Sequence, residues 1–257
     1  MRESLERVKS ALANSGYCPA RGHSLINLAP ADIRKEGTGF DLPMTVGILL
    51  AAEFLTPTDF LDKTCFIGEV SLGGELRRVN GALSMALMAR EKGFESIVVP
   101  EENVLEASLV EGIEVFGLSH LKDLPVFMMH PPSFSKPVDR NTLLARATGT
   151  PQPCAVDFAD IKGQDMAKRA LEIAAAGGHN LLMVGAPGSG KSMLAKAFAG
   201  ILPPMSFEEI LEVSQIYSVS GLLASDQGLI GQRPFRAPHH SASRAGLTGG
   251  GPNPKPG

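Results

Sequence analysis

The sequence has 257 residues, 44% of them apolar and 20% charged, which is ordinary for a soluble globular protein and enough for two domains with hydrophobic cores. Its 24 basic and 27 acidic residues give a formal net charge of −3, so bulk charge does not indicate a nucleic-acid-binding protein. The three cysteines are widely spaced, which argues against a disulfide framework, and the charged N-terminus argues against a signal peptide. The longest apolar run, residues 43–52, is half as long as the ~20 residues of a membrane span, which argues against a transmembrane helix. Together these features indicate the cytoplasm.

Helical and strand patterns alternate through residues 1–129, which predicts an α/β or α+β domain. The apolar spacing predicts helices at 3–15, 43–54, 82–92 and about 101–108. Strands are predicted at 24–30, 65–72, 96–100 and 113–117, with a tight turn at Gly73-Gly74 that leads into residues 75–79.

Five prolines between His130 and Pro153 predict a linker over residues 130–153, with a short helix at 139–147. Residues 154–257 then form a second predicted domain. Its elements are a helix at 163–176, a buried strand at 179–185, a glycine-rich loop and a helix at 191–200.

Charge is divided unevenly along the chain. Residues 1–145 have a net charge of −5 and residues 146–257 a net charge of +2. Residues 227–257 contain four basic residues and no acid, which is typical either of a solvated loop or of a local anion site.

The loop matches G-x-x-x-x-G-K-[ST] in full, between a predicted strand and a predicted helix. Glycines allow consecutive backbone N–H groups to surround an anion, and the helix N-terminus adds partial positive charge. Lys191 is expected to reach the β- and γ-phosphates, and the Ser192 hydroxyl to ligate Mg²⁺. The sequence therefore predicts ATP with Mg²⁺ as ligand, held by Gly185, Ala186, Pro187, Gly188, Ser189, Gly190, Lys191 and Ser192.

Hydrolysis requires more than this loop, because an acidic residue at the end of a later strand must hold Mg²⁺ and another group must orient water. No apolar strand that ends in Asp-Glu follows within residues 193–257. Glu208, Glu209 and Glu212 fall in a predicted helix, and Asp226 falls in a turn. Nucleotide binding is therefore predicted more firmly than turnover.

Several stretches resemble one protein family. Residues 156–204 and 233–257 are similar to the start of an AAA+ module of the magnesium-chelatase type, and the Pro-His-His sequence within the second stretch is quite specific to that family. Residues 37–52 and 68–83 resemble a Lon-protease-like domain. Together these stretches resemble bacterial Mg-chelatase-like AAA+ ATPases of the ComM/YifB type over nearly the whole chain.

The resemblance implies a Lon-like (ribosomal S5-like) α+β domain over residues 1–129, followed by an incomplete P-loop AAA+ α/β domain over residues 154–257. It implies a hexameric ring that uses ATP to remodel DNA, by helicase or branch-migration activity in natural transformation. It also places Ile161, Gly163 and Gln164 near the adenine.

The chain departs from the family pattern at both ends. The pattern includes extra strands before the first predicted helix, and an acidic motif, a sensor residue, an arginine finger and a helical lid after Gly257. We therefore expect an internal piece of a longer protein or a shortened gene product.

The Lon-like stretches lack the residues of a peptidase. A Lon-type protease pairs a serine nucleophile with a near-neutral lysine. Here Pro43 is followed by Met44, and residues 80–85 contain no lysine. Thr45 and Ser84 lie nearby in the sequence, but without a base each is an ordinary hydroxyl, so we predict no peptidase activity and a role in assembly.

The Pro-His-His stretch contains Arg236, His239, His240 and Arg244 without a nearby acid. Adjacent histidines diverge and no further Cys or His is near, which argues against zinc. Two interpretations stay open: an ordered loop held by hydrogen bonds, or contact with DNA phosphate in the pore of a ring.

The sequence is compatible with three functions. The first is an AAA+ motor that remodels DNA, and the second is a non-hydrolysing nucleotide-binding or assembly module. The third is a chelatase motor acting on a porphyrin, against which the Lon-like stretches argue.

Overall fold

A computed structural model describes residues 2–18, 25–28, 37–136, 138–149, 156–239, 241–250 and 256. The chain divides into two compact units. The first comprises residues 1–140 and 215–228, and the second comprises residues 141–214 and 229–257.

Short helices and strands alternate in the first unit. Its helices are α1 (Arg2–Asn14), α2 (Asp41–Ala51), α3 (Asp59–Asp62), α4 (Ala82–Glu91), α5 (Val104–Ala107) and α6 (Leu124–Met129). Its strands are β1 (Thr64–Phe66), β2 (Glu69–Val70), β3 (Leu76–Arg77), β4 (Ser96–Pro100) and β5 (Glu114–Leu118).

The main sheet is parallel, with the strand order β1-β4-β5, and Ser96 pairs with both Thr64 and Glu114. Every residue of β4 is buried, which is usual for a parallel strand covered on both faces. Strands β2 and β3 form a separate antiparallel hairpin. The parallel sheet confirms the predicted α/β class in its general form.

Aromatic rings fill the core beside this sheet. Phe127 makes edge-to-face contacts with Phe116 and Phe60, at centroid distances of 5.4 and 5.7 Å. A buried ion pair joins the first two helices, because Arg7 Nε donates to Asp41 Oδ2 at 2.8 Å and Asp41 is fully buried. The hydrogen bond with Asp41 raises the pKa of Arg7, so this guanidinium stays charged.

Most predicted helices and the strands β4 and β5 lie within three residues of their predicted bounds. The predicted strand over 65–72 is wrong in its continuity, since the chain leaves the sheet at Gly68. The Gly68 N–H donates to Gly39 O, and Gly68 O accepts from Leu42 N–H. The backbone groups of Gly68 therefore bond to residues outside the sheet. The predicted strand over 24–30 is also not found in its described part, residues 25–28, where Leu25 is 96% exposed.

The second unit is helical in its described residues. Its elements are α7 (Arg140–Gly149), α8 (Asp165–Gly177), α9 (Lys191–Ile201), α10 (Phe207–Val219) and α11 (Arg244–Thr248). Helix α7 confirms the short helix predicted at 139–147. Arg140, the first residue of α7, and the residues of α10 from 215 onward belong to the first unit.

A small hydrophobic cluster of Ile161, Leu171, Leu194 and Ala197 forms the core of the second unit. The predicted buried strand at 179–185 is wrong, because no strand forms there and Leu182 and Val184 are 88% and 87% exposed. A buried parallel strand needs hydrogen-bonded neighbours and covered faces. In the described residues of this unit, no strand is present to supply them.

Among the described helices, none combines the length and the apolar character that crossing a membrane requires. Cys18 and Cys65 are free thiols, and Cys154 lies outside the described residues.

Candidate nucleotide-binding site

The glycine-rich loop is a tight turn that runs directly into helix α9. The Ser189 N–H donates to Ala186 O at 3.3 Å, and α9 begins at Lys191. Gly188 and Gly190 have φ values of +79° and +87°, a region that glycine enters without steric cost. The repeated glycine therefore allows the chain to curl and then start a helix within a few residues.

The Lys191 ammonium lies across this turn. Its Nζ atom donates to the carbonyl oxygens of Gly185 and Ala186, each at 2.8 Å, and to Ser189 Oγ at 3.2 Å. These bonds place a positive charge at the N-terminus of α9, where the first N–H groups lack partners within the helix. Ser192 is exposed on the first turn of the same helix. The arrangement can attract and bind an anion.

A cavity of about 340 Å³ adjoins the loop, which is within the ~300–1,000 Å³ range of small-ligand sites. Its polar lining includes Gln164, Ser189 and Lys191, and its apolar lining includes Leu171 and Met183. The cavity thus has the charged loop on one side and an apolar wall on the other. A ligand with a phosphate group and a flat apolar group requires such a pair of surfaces.

The residues predicted to lie near the adenine have different environments. Gln164 lines the cavity and has a φ of +60° at the start of α8. Ile161 is 5% exposed and packs in the core of the unit, while its carbonyl accepts from Lys168 Nζ. Gly163, between them, has a φ of +66°. Their roles toward a base stay predictions, and Gln164 is the member of the three that faces the cavity.

The acidic residues that follow the phosphate loop lie on a helix and in a turn, as the sequence predicts. Glu208 and Glu212 are exposed on α10, and Asp226 lies in an exposed turn. Glu209 accepts two bonds from Arg233 Nη2, each of 3.0 Å. The pKa of Glu209 is lowered, first because the Ser206 backbone N–H donates to its carboxylate and then because of Arg233.

The sequence does not predict the pairing of Glu209, which falls in a predicted helix, with Arg233, which belongs to the basic segment 227–257. The two residues are 24 positions apart, so no local spacing signals the contact. Arg233 is thereby engaged within the protein and is a weaker candidate for binding an external anion.

The Pro-His-His stretch is exposed in its described part. Arg236 and Arg244 are exposed, and His239 Nδ1 shares a 2.7 Å hydrogen bond with Ser241 Oγ. Arg244 begins α11, where Ser243 Oγ accepts from the Gly246 N–H at 3.1 Å. His240 lies outside the described residues. No group of three potential metal ligands occurs among the residues that the structure describes.

Comparison with known proteins identifies the family of the chain. The family model described as "Magnesium chelatase, subunit ChlI" matches residues 157–257, and that of "Subunit ChlI of Mg-chelatase" matches residues 1–103. The uncharacterized protein YifB of Salmonella typhimurium is 44% identical over 259 residues, covering 100% of this chain and 49% of the relative. The competence protein ComM of Haemophilus influenzae is 40% identical, covering 100% of this chain and 50% of the relative. The chain belongs to the Mg-chelatase-like family of YifB and ComM.

The chain spans about half the length of these curated relatives. A further match concerns the first part of the family pattern. Lon protease 2 of Bacillus subtilis is 28% identical over 137 residues, covering 52% of this chain and 24% of the relative. This similarity supports the Lon-like relation that the sequence predicts.

The two Lon-like motif segments meet at one groove of the first unit. Pro43 and Met85 both line this apolar groove, which has a volume of about 800 Å³. Met44 is 7% exposed, and Thr45 is fully buried with its hydroxyl donating to Asp41 O at 2.7 Å. Ser84, on α4, is partly buried. The Thr45 hydroxyl is thus engaged within its own helix.

We predict that the protein does not cleave unstructured peptides, because Met44 instead of a serine follows Pro43, and no lysine follows Gly81 in this segment to take a proton from a hydroxyl. Incubation with casein or a fluorogenic peptide, with and without Mg-ATP, is expected to leave the substrate intact. Cleavage that the Thr45→Ala variant abolishes would contradict the prediction.

Proposed function

We propose that the chain binds ATP with Mg²⁺ and is the nucleotide-binding part of an AAA+ ATPase. The observation that carries the proposal is the position of Lys191, whose ammonium lies over the turn at the start of α9 beside the 340 Å³ cavity. Family membership supports the same function.

Each part of the site has a role in this proposal. Lys191 exchanges its bonds to the loop carbonyls for bonds to phosphate oxygens, which are stronger acceptors because they are charged. The first N–H groups of α9 and the loop bind the remaining phosphate oxygens. Gln164 and the apolar wall of the cavity receive the base.

The residues present fit Mg²⁺ as a partner of bound nucleotide. Ser192 follows Lys191 on the first turn of α9 and offers one hydroxyl ligand, and Mg²⁺ characteristically keeps phosphate oxygens and water as its other ligands. No carboxylate cage is needed for that mode of binding. When bound, the metal neutralises phosphate charge and orients the nucleotide.

Titration calorimetry with Mg-ADP and Mg-ATP tests the proposal directly. We expect saturable binding of one nucleotide per chain, and a higher melting temperature in the presence of nucleotide because ligand binds only the folded state. A folded protein that releases no heat with either nucleotide would refute the proposal.

We propose, more specifically, that the assembled protein is a cytoplasmic homo-hexamer that uses ATP to remodel DNA in natural transformation. Its domains would be a Lon-like domain over residues 1–129, a linker over 130–153 and the N-terminal part of the AAA+ module over 154–257. Similarity to a competence protein and the basic segment 227–257 support this assignment.

The alternative function is a non-hydrolysing nucleotide-binding module. It is favoured by the use of Glu209 in an ion pair and by the exposure of Glu208 and Glu212 on α10. Phosphate release from Mg-ATP, measured with and without single-stranded DNA, separates the two functions. Turnover supports the motor, whereas retained binding with zero turnover supports the module.

If the Pro-His-His stretch contacts DNA, replacing Arg236 with alanine should weaken DNA binding by the assembled protein. The slope of log K against log salt should fall in magnitude by about 1, because one phosphate contact is lost. Fluorescence anisotropy at several salt concentrations measures this slope, while ATP affinity should stay unchanged. The control is Arg169→Ala, which removes an exposed arginine of α8 that pairs with Glu172. An unchanged slope for the Arg236 variant would indicate a purely structural loop.

A further inference from the structure

The Lys191 side chain has all three of its N–H donors in use within the phosphate loop. An ammonium offers three donors and no acceptor. Its Nζ atom bonds to the carbonyl oxygens of Gly185 and Ala186 and to the hydroxyl oxygen of Ser189. A phosphate oxygen can therefore bind this ammonium only where one of the three acceptors withdraws.

The three acceptors do not hold the ammonium equally. The bonds to the two carbonyls are 2.8 Å long, whereas the bond to Ser189 Oγ is 3.2 Å long, at the upper end of the usual range. The Ala186 carbonyl also accepts from the Ser189 N–H, which fixes it in the turn. Moving a carbonyl requires rotation of a whole peptide unit, but the Ser189 hydroxyl moves by rotation about one side-chain bond. The hydroxyl is thus the acceptor that gives way first.

The Ser189 hydroxyl lies on the side of the loop that faces the cavity. Gly185, Ser189 and Lys191 all line this cavity of about 340 Å³. A Cβ atom built at Gly185 would be 3.0 Å from Ser189 Oγ and 4.0 Å from Lys191 Nζ, so the hydroxyl lies across the turn from Gly185 and beside the ammonium. A ligand in the cavity therefore meets the Ser189 hydroxyl together with the ammonium to which it is bonded.

The bond to Lys191 positions this hydroxyl. Ser189 is exposed, and among the described residues the ammonium is the one hydrogen-bond partner of its hydroxyl. The hydroxyl is neutral, so its oxygen is a weaker acceptor for an ammonium than a charged phosphate oxygen is. A phosphate oxygen can replace the hydroxyl with a net gain in free energy, but the loss of the existing bond reduces that gain.

We propose that Ser189 is a positioning residue that lowers the affinity of the loop for phosphate by occupying the third N–H donor of Lys191. This role rests on the proposed nucleotide binding. A protein whose binding-competent state is only partly populated shows an affinity reduced by that populated fraction. In this loop the competent state is the one in which the Ser189 side chain has rotated away from Lys191. Because Ser189 acts on the phosphate end of the ligand, ADP and ATP should be affected alike.

Titration calorimetry of the full chain with Mg-ADP and Mg-ATP tests the role of Ser189. In Ser189→Ala the third donor of Lys191 has no competing acceptor, so we expect both nucleotides to bind about 2- to 10-fold more tightly, the range that the loss of one hydrogen bond implies. Ser189→Thr keeps the hydroxyl and should bind within about twofold of the wild type. Equal or weaker binding by Ser189→Ala would refute the proposal, because a hydroxyl that binds phosphate or only supports the turn does not oppose the ligand. Tighter binding by both variants would also refute it.

A double-mutant cycle separates an effect through Lys191 from a general change in the loop. In the Lys191→Ala background there is no ammonium for Ser189 to occupy, so adding Ser189→Ala should leave the affinity for Mg-ADP within about twofold. This pair is titrated at higher protein and nucleotide concentrations, because both variants bind weakly. A gain in affinity of the same size in both backgrounds would refute a role that acts through Lys191.

Calorimetry of the wild type distinguishes the role of Ser189 from the proposed function. Binding of Mg-ADP by the wild type, with no gain in Ser189→Ala, would refute the role of Ser189 and leave the proposed function intact. Absence of binding by the folded wild type would refute the proposed function, and the role of Ser189 with it.

Discussion

Replacing Lys191 with alanine is expected to weaken the binding of Mg-ADP and Mg-ATP by about 100-fold or more. The ammonium is the one side-chain charge within the described loop, 185–192, and a hydrogen bond to a charged group contributes about 1.5–3 kcal/mol. Losing two such bonds to phosphate corresponds to a loss of this size, at about 1.4 kcal/mol per factor of ten. Calorimetric titration measures the change.

The matched control is Lys196→Ala, which removes an equal charge from an exposed position on the same helix. That variant should bind nucleotide within about twofold of the wild type, because long-range charge effects are screened by salt. The Lys191 variant should melt near the wild-type temperature, since its bonds to Gly185, Ala186 and Ser189 are exposed. Equal nucleotide affinity in the wild type and the Lys191 variant would contradict the assignment of the site.

The sequence predicts those features that depend on neighbours along the chain. Helix α4 and strand β4 follow from apolar periodicity and from a run of β-branched residues, and both lie within one residue of their predicted bounds. The start of α9 at Lys191 follows from the glycine pattern alone. Local propensity and local packing agree in these segments, so no distant contact is needed to locate them.

Contacts between distant residues are not predictable in this way. Ser218 Oγ donates to Glu106 Oε2, but the two residues are 112 positions apart, and neither lies in a motif that would draw attention to it. The strand predicted over 65–72 fails for the same reason, since the backbone of Gly68 bonds to Gly39 and Leu42 rather than to a neighbouring strand. Apolar periodicity reports which residues prefer burial, but it does not report which partner is available.

The other large expected effect concerns the stability of the first unit. Gly74→Ala should lower the free energy of unfolding by about 3–4 kcal/mol. Gly74 has a φ of +95° in the turn between β2 and β3, a conformation that costs an L-residue about 1–2 kcal/mol. A Cβ atom would also clash with Ser15 Oγ and lie 2.8 Å from His120 Cε1, and overpacking of this kind costs about 1–3 kcal/mol.

The Gly93→Ala variant separates the cost of the positive φ from the cost of the close contacts around Gly74. Gly93 has a similar φ of +85° and is exposed, and no atom of the described residues lies within 4 Å of the added Cβ, so this variant should lose only about 1–2 kcal/mol. Among the described residues Ser15 Oγ is buried without a hydrogen-bond partner, so Ser15→Ala should itself have little effect and should recover about 1 kcal/mol when combined with Gly74→Ala. Urea denaturation of the four variants measures these differences. If Gly74→Ala and Gly93→Ala proved equally destabilising, the close approach of Ser15 and His120 would not be the cause.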